Sequence, residues 1–233
     1  MSALSPSEAT LAPRAPVRLF PLTRHLSYRL TPLLLRLALT PNQVTGLSLT
    51  AGLLAAGCFL AGSWAWGIVG GLMMILCYTL DNCDGEVARI RNMSSEWGAR
   101  FDDLADWLVD SAFFAALGIG TWGATGNAPW LWFGLAAAAG ATIDYGVDLV
   151  HHARNSRKAK PSREEVAKSE RKPEDTVDWL IYVFHKLSRA DFCVIVFGLA
   201  LFDVVWVLLP LGAVGAQAFW ITDLFQRARG WHT

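Results

Sequence analysis

Charge is scarce in this chain: Asp, Glu, Lys and Arg make up 17% of its 233 residues, against about 25% in soluble domains. That scarcity, beside 53% hydrophobic residues, excludes a disordered tail and argues against an ordinary soluble domain. Neither sign of charge is in excess, with 20 basic and 20 acidic residues, so no global basic field points to nucleic acid. Cysteine is sparse and unpatterned. Cys58, Cys77, Cys83 and Cys193 lie in or beside apolar segments without CxxC spacing, and they read as small core residues instead of disulfides or a zinc site. No internal repeat of about 20–50 residues is evident, which argues against a solenoid. The first twenty residues carry Pro13 and Pro16 among small and polar residues and lack a compact apolar core with a cleavage site. A loose arm is expected there, not a signal peptide.

What the chain does have is long runs with almost no charge, at 44–62, 63–80, 111–145, where Asp144 is the one exception, and 204–222. Each is near or above the roughly 18 residues that read as a membrane span. An all-α polytopic membrane protein follows, with 1–39 as arm and interfacial helix and 40–233 as one transmembrane domain. From 23 to 39, Arg24, His25, Arg29 and Arg36 alternate with leucines around Tyr28, an amphipathic pattern suited to the headgroup layer and kinked by Pro32. Thr40-Pro41-Asn42 breaks the chain and caps span one, 44–62. Span two covers about 64–91, with Gly67 and Gly71 spaced for close helix approach. Span three starts near Ser95, span four covers about 130–150 with a small-residue run at 136–142, and 151–172 is a charged loop before a second interfacial helix at 175–187.

The stretch 192–202 has only 11 charge-free residues before Asp203. Counting it as span five gives six spans and puts every Lys and Arg on one side, the side that the positive-inside rule makes cytoplasmic. Five spans would translocate Arg227 and Arg229. The opposite loops hold Trp64, Trp66, Trp122, Trp130, Trp132 and Trp206 and no basic residue, an aromatic belt.

Acids within membrane segments are costly and mark function by default. Here Asp81, Asp84 and Glu86 end span two, and Asp102, Asp103, Asp106 and Asp110 open span three. Asp81 and Asp84 are three apart and Asp102 and Asp106 four apart, so each pair shares a helix face. Two such faces opposed form a cage of four carboxylates that would repel one another at low dielectric. Hard divalent ions relieve that repulsion, Mg²⁺ (or Mn²⁺) most naturally, and two ions could bridge a phosphate group. Gly85 leaves room for a ligand, and Arg89 lies one turn on. Acids, glycine and guanidinium together describe a pyrophosphate-like substrate.

The run Asp81-x2-Asp84-Gly85-x2-Ala88-Arg89-x8-Gly98-x3-Asp102-x3-Asp106 resembles, without departure, the signature of the CDP-alcohol phosphotransferase (CDP-alcohol phosphatidyltransferase) family. Thr40-Pro41-Asn42-Gln43-Val44-Thr45, the six-span count and the side on which the acids lie extend the resemblance. It implies an integral-membrane, metal-dependent transferase of phospholipid or polar-headgroup biosynthesis. Such an enzyme moves a phosphatidyl or phosphoalcohol group from a CDP-linked donor, CDP-diacylglycerol or a CDP-polyol, to an alcohol acceptor and releases CMP. By that resemblance Asp81, Asp84, Asp102 and Asp106 hold two Mg²⁺ (or Mn²⁺) ions, and Asp106 is also the general base. Gly85, Ala88, Arg89 and Gly98 line the CDP site, with Asn42 and Thr45 reaching the nucleotide from span one. The expected setting is the cytoplasmic membrane, with the site on the cytoplasmic side, membrane lipid around it and a homodimer as an open assembly state.

A carboxylate-lined divalent-cation transporter is the alternative from another class. It is the weaker one, because a pathway needs polar residues through the whole membrane depth and these acids stop near one surface. Asp103 lies about 100° around the helix from Asp102 and is expected to be solvated or Arg-paired. Asp110 reads equally as a supporting carboxylate or a packing partner. Asp144 and Asp148, followed by His151 and His152, either wall an acceptor site or simply end a helix, the latter being the expectation; Arg189 and Asp191 carry the same ambiguity. For the acceptor, Cys83-Asp84-Gly85-Glu86 and Val109-Asp110 faintly resemble enzymes that make di-inositol phosphate compounds, and Met93-Ser94-Ser95 resembles phosphatidylserine-type enzymes.

Overall fold

A computed structural model of the chain describes residues 22–155 and 191–228. Among the described residues the fold is helical throughout: α1 Thr23–Arg36, α2 Pro41–Leu60, α3 Trp64–Ile90, α4 Glu96–Thr125, α5 Ala128–Asn155, α6 Phe192–Leu201 and α7 Leu208–Ala228, with a 3₁₀ turn at Val205–Val207 before α7. The expected second interfacial helix at 175–187, most of the charged loop and Arg189 lie outside the described residues.

Local sequence explains where the helices begin and end. Pro41 occupies the first turn of α2, where its missing N–H costs nothing, and the Gln43 side chain accepts from the Thr40 backbone N–H at 2.9 Å. The Ser95 hydroxyl accepts from the Gly98 N–H at 3.0 Å and starts α4, which ends at Gly126 in the left-handed region with φ +71°. At α5 the helix runs on through His151 and His152 to Asn155, past the expected loop boundary.

Around α2 pack α3 and α4; α5 covers α4, α7 covers α5, and α6 lies on α3. The core between them is apolar, with Val44, Met74, Phe113, Val196 and Leu209 all fully buried. Phe113 is the hub of an aromatic cluster, edge-on to Phe59 at 5.1 Å and to Phe192 at 5.7 Å between ring centroids. Outward-facing leucines such as Leu53, Leu54, Leu72 and Leu76 are exposed, as expected of helices in lipid. Close approaches use glycine, but not the pair expected. A Cβ on Gly67 would meet nothing, whereas one on Gly71 would stand 2.9 Å from the Phe197 Cα of α6 and one on Gly70 would strike the Phe59 ring. Gly70 sits one residue round from the expected Gly67 stripe, which moves the contact face. Between α4 and α5, Gly118 and Gly134 face each other, and Gly140 in the expected small-residue run meets Ala216 and Gln217 of α7.

Four helices, α2 to α5, are long and apolar enough to cross a membrane. α3 and α4, with 27 and 30 residues, run about 40 and 45 Å, more than the roughly 30 Å of hydrocarbon. The surplus falls where the acids are. The ten-residue α6 and the apolar stretch Val205–Ile221 are shorter than a full span. α6 nevertheless packs along α3: at one end the Trp64 indole N–H donates to the Leu201 carbonyl at 3.2 Å, and at the other Asp191, just before α6, accepts from the Leu22 backbone N–H at the start of α1.

The amphipathic stretch 23–39 folds largely as expected, helical through Pro32. Its inward face differs from the pattern read from the leucines. Thr23, Ser27 and Thr31 are buried together with Leu34 and Leu35, while Leu26, Leu33 and Leu37 stay exposed. The hydroxyls face inward because α3 presents Glu86 to them, and a carboxylate there needs donors.

Candidate active site

The site forms where the last turns of α3 meet the first turns of α4. Carboxylate oxygens of Asp81, Asp102 and Asp106 all lie within 4.8 Å of one another. The i, i+4 spacing of Asp102 and Asp106 puts both on the face of α4 that meets Asp81. Asp102 Oδ1 is buried and has no hydrogen-bond partner. A buried, unsatisfied carboxylate oxygen beside two further carboxylates is a costly arrangement for the protein alone. The donor set, oxygen only and anionic, fits a hard divalent cation.

Asp84, the fourth expected carboxylate, is 6% exposed and sits behind this trio, where it accepts the Thr45 hydroxyl at 2.5 Å. Thr45 itself is buried and also meets the Pro41 carbonyl at 3.2 Å. Thr45, expected to reach the nucleotide, thus meets Asp84 from an inward face of α2.

The remaining signature residues gather on the other flank. A Cβ on Gly98 would stand 3.2 Å from Asn42 Oδ1, so the start of α2 and the start of α4 meet there with no side chain between them. A Cβ on Gly85 would stand 3.3 Å from Arg89 Nη1, which places the guanidinium over the glycine. Arg89 and Asn42 are exposed. Their polar groups, next to backbone left bare by two glycines, suit a phosphate-bearing ligand.

Opposite that flank opens a cavity of about 700 Å³ between the ends of α3, α4 and α5. Asp81 and Asp106 line it, and none of Asn42, Thr45, Gly85, Ala88, Arg89 and Gly98 does. Asp103 and Asp110 of α4 and Asp144, Asp148 and His152 of α5 complete its polar wall with Arg100. Asp144 and Asp148 thus belong to a cavity wall, where a bare helix end was expected; the bundle brings the end of α5 against the start of α4, which no spacing within α5 discloses. Trp107 and Tyr145 stack across the same space with ring centroids 5.0 Å apart, and the Trp107 indole donates to the Thr142 hydroxyl at 3.2 Å.

Three polar side chains that the sequence left without a role hold α1. Glu86 accepts from Ser27 Oγ at 3.0 Å and from Thr31 Oγ1 at 2.6 Å. Asp191 Oδ1 accepts from the backbone N–H groups of Leu22 and Thr23 at 2.8 and 3.3 Å, resolving its ambiguity in favour of a helix-end partner. The Arg91 guanidinium donates to the carbonyls of Leu35 and Leu39 at 2.8 and 2.9 Å, closing the other end of α1. The four-residue spacing of Thr23, Ser27 and Thr31 is the sequence signal that could have disclosed this face.

Known proteins resemble this chain in sequence and in fold. Over 123 residues, 52% of this chain and 25% of the relative, the chain is 38% identical to a bifunctional IPC transferase and DIPP synthase of Rubrobacter xylanophilus. Over 107 residues it is 35% identical to a phosphatidylinositol phosphate synthase of Cutibacterium acnes, spanning 46% of this chain and 49% of that one. The match therefore spans about a quarter to a half of these relatives' own length. A crystal structure of the phosphatidylinositol phosphate synthase of Mycobacterium tuberculosis with CDP-DAG bound superposes with a TM-score of 0.53 at 21% identity, covering 85% of this chain and 92% of that one, and shows the shared fold. The family model for CDP-alcohol phosphatidyltransferases matches residues 38–218, and the chain belongs to that family.

Proposed function

We propose that the protein transfers a phosphatidyl or phosphoalcohol group from a CDP-linked donor to the hydroxyl of an alcohol and releases CMP. The observation that carries this reading is the double position of Asp106, one of the three converging carboxylates and also part of the cavity wall. A base must reach the acceptor, and a metal-site carboxylate must reach the cation that would hold the phosphate; Asp106 stands where both meet. In this reading the donor's pyrophosphate lies on the Asn42, Gly98, Gly85, Ala88 and Arg89 flank, and the acceptor occupies the cavity.

Asp81, Asp102 and Asp106, with Asp84 behind them, are the residues that would hold Mg²⁺ or Mn²⁺, two ions in our reading. Bound there, the metal neutralises charge on the pyrophosphate and on the departing CMP. Asp106 takes the proton of the acceptor hydroxyl as its oxygen forms a bond to the phosphorus distal to cytidine. The bond from that phosphorus to the bridging oxygen breaks, and CMP leaves with the oxygen. Thr45 keeps Asp84 oriented, and Arg89 holds the donor's phosphate by paired N–H donors.

The family match over 38–218 supports reading 40–233 as one transmembrane domain and 1–39 as arm and interfacial helix. We place the site on the cytoplasmic face of the cell membrane, on the distribution of Lys and Arg, and count α6 and α7 as spans five and six; a homodimer is the assembly state we carry with it. Because the curated relatives act, by name, in phosphoinositol chemistry, inositol-type acceptors head the panel that tests the activity. Purified protein with CDP-diacylglycerol or CDP-inositol and a set of alcohols and alcohol phosphates should release CMP in the presence of Mg²⁺. No CMP with any pair, from folded protein, overturns the reading.

A further inference from the structure

Glu86 sits within the signature run, directly after Gly85, yet it faces away from the carboxylate trio. Its partners are both on α1: Ser27 Oγ at 3.0 Å on one carboxylate oxygen and Thr31 Oγ1 at 2.6 Å on the other. Ser27 and Thr31 are fully buried, so neither hydroxyl has water as a substitute partner. The four-residue spacing of Ser27 and Thr31 sets the two donors one helical turn apart on one face, matched to the two oxygens of a single carboxylate.

This contact lies midway along a dock that is closed at both ends, by Asp191 at Leu22 and Thr23 and by Arg91 at Leu35 and Leu39. Two of the three anchors, Glu86 of α3 and Arg91 just past its end, bracket Arg89. The segment from Gly85 to Arg89 is therefore gripped from its back by α1 while its front carries the glycine and guanidinium of the donor flank. A helix end near the membrane surface frays and rotates unless something fixes it. A rotation by a few degrees there displaces the long Arg89 guanidinium far more than it displaces Asp81, about two turns deeper.

We propose that Glu86 is a positioning residue: through Ser27 and Thr31 it locks α1 onto α3 and so fixes Gly85 and Arg89 in the orientation that receives the nucleotide diphosphate of the donor. This rests on the donor flank assigned under the proposed function. It separates two properties of the same helix, since loss of the lock should weaken donor binding and leave the proton transfer at Asp106 intact.

The test uses full-length protein in nanodiscs, with three variants and two readouts. Glu86→Leu removes both acceptors. Ser27→Ala with Thr31→Val removes both donors and leaves Glu86 in place. Glu86→Gln keeps one acceptor oxygen and offers an amide N–H to the second hydroxyl. Hydrogen exchange over 23–36 reads the lock without any need for turnover, and titration with CDP-diacylglycerol, by binding and by KM, reads the donor flank. The first two variants should lose protection of α1 and raise the donor Kd and KM about tenfold, with kcat at saturating donor within about twofold of wild type. Glu86→Gln should recover most of both. Unchanged exchange in Glu86→Leu overturns the lock. Lost protection with unchanged donor affinity, or an equal fall of kcat and folded fraction, shows a merely structural contact and overturns the positioning role. Wild-type protein that binds no CDP-donor overturns the proposed function instead, while the exchange result still judges the lock.

Discussion

In the proposed function Asp106 meets two demands, which separate on substitution. If it only held metal, Asp106→Asn would weaken metal affinity, and excess Mg²⁺ would restore most of the rate. A proton acceptor has no such rescue, because an amide has no useful basicity near neutral pH, and the lost contribution is about 10²–10⁴-fold. Asp106→Asn is therefore expected to bind the CDP-donor yet stay slow at saturating metal, donor and acceptor. CMP release measured beside donor binding on one preparation checks this, and a near wild-type rate at high Mg²⁺ removes Asp106 from the base role. Asp102 makes the contrasting case. Its Oδ1 is buried without a partner, so Asp102→Asn should fold and insert while losing Mg²⁺-dependent turnover, and chelation should abolish the wild-type rate in parallel. Activity that survives thorough chelation would refute metal dependence. Asp81 and Asp102 were readable from spacing alone; the burial of Asp84 against Thr45 was not, because it depends on α2 packing beside α3.

At the level of whole helices, α4 sets the geometry. It carries two of the three converging carboxylates at one end and, three turns further on, Phe113, which locks it to Phe59 of α2 and Phe192 of α6. Phe113 is fully buried, and replacing a large buried aromatic by alanine leaves a cavity that costs about 3–5 kcal/mol in soluble cores. Phe113→Ala should lower the thermal midpoint in detergent markedly. It should also reduce CMP release per folded molecule, since α4 also carries Asp102 and Asp106; a large fall in midpoint with full activity would show that α4 is held at its acidic end by other contacts. The starts of α2 and α4 followed from Pro41 and Ser95, residues whose effects are local. The inward face of α1 did not follow from its leucines, because Glu86 on another helix decides which face turns in.

Across the whole molecule, the proposed membrane topology rests on charge and belt and can be tested. Ser94→Cys and Asn127→Cys lie at opposite ends of α4, and Asp203→Cys lies just beyond α6. With six spans, maleimide added to intact cells should label the variants at 127 and 203, and the variant at 94 only after permeabilisation. Labelling at 203 from the cytoplasmic side alone would return the count to five. Length by itself leaves this open, since α6 has ten residues, about 15 Å of rise. What favours a crossing is its attachment at both ends, to Trp64 on the belt side and through Asp191 to α1 on the acidic side.

The sequence by itself determined the medium, the helical class and the family. Hydrophobic run length, the Lys and Arg distribution and the spacing of eight signature residues are one-dimensional quantities, complete in the order of residues. It also paired Asp81 with Asp84 and Asp102 with Asp106, because helical periodicity converts a spacing of three or four into a shared face. Only the tertiary structure decided which carboxylates converge. Two faces must be rotated toward each other by packing to which Phe113, Gly70 and Gly71 contribute from elsewhere, and that rotation draws Asp81 to Asp102 and Asp106, while Asp84, also beside Asp102, takes the Thr45 hydroxyl. The same packing made Asp144 and Asp148 part of a cavity and gave Glu86 its hydroxyl partners. A side chain's neighbours across a helix interface lie tens of residues away in the chain, at separations no local period encodes.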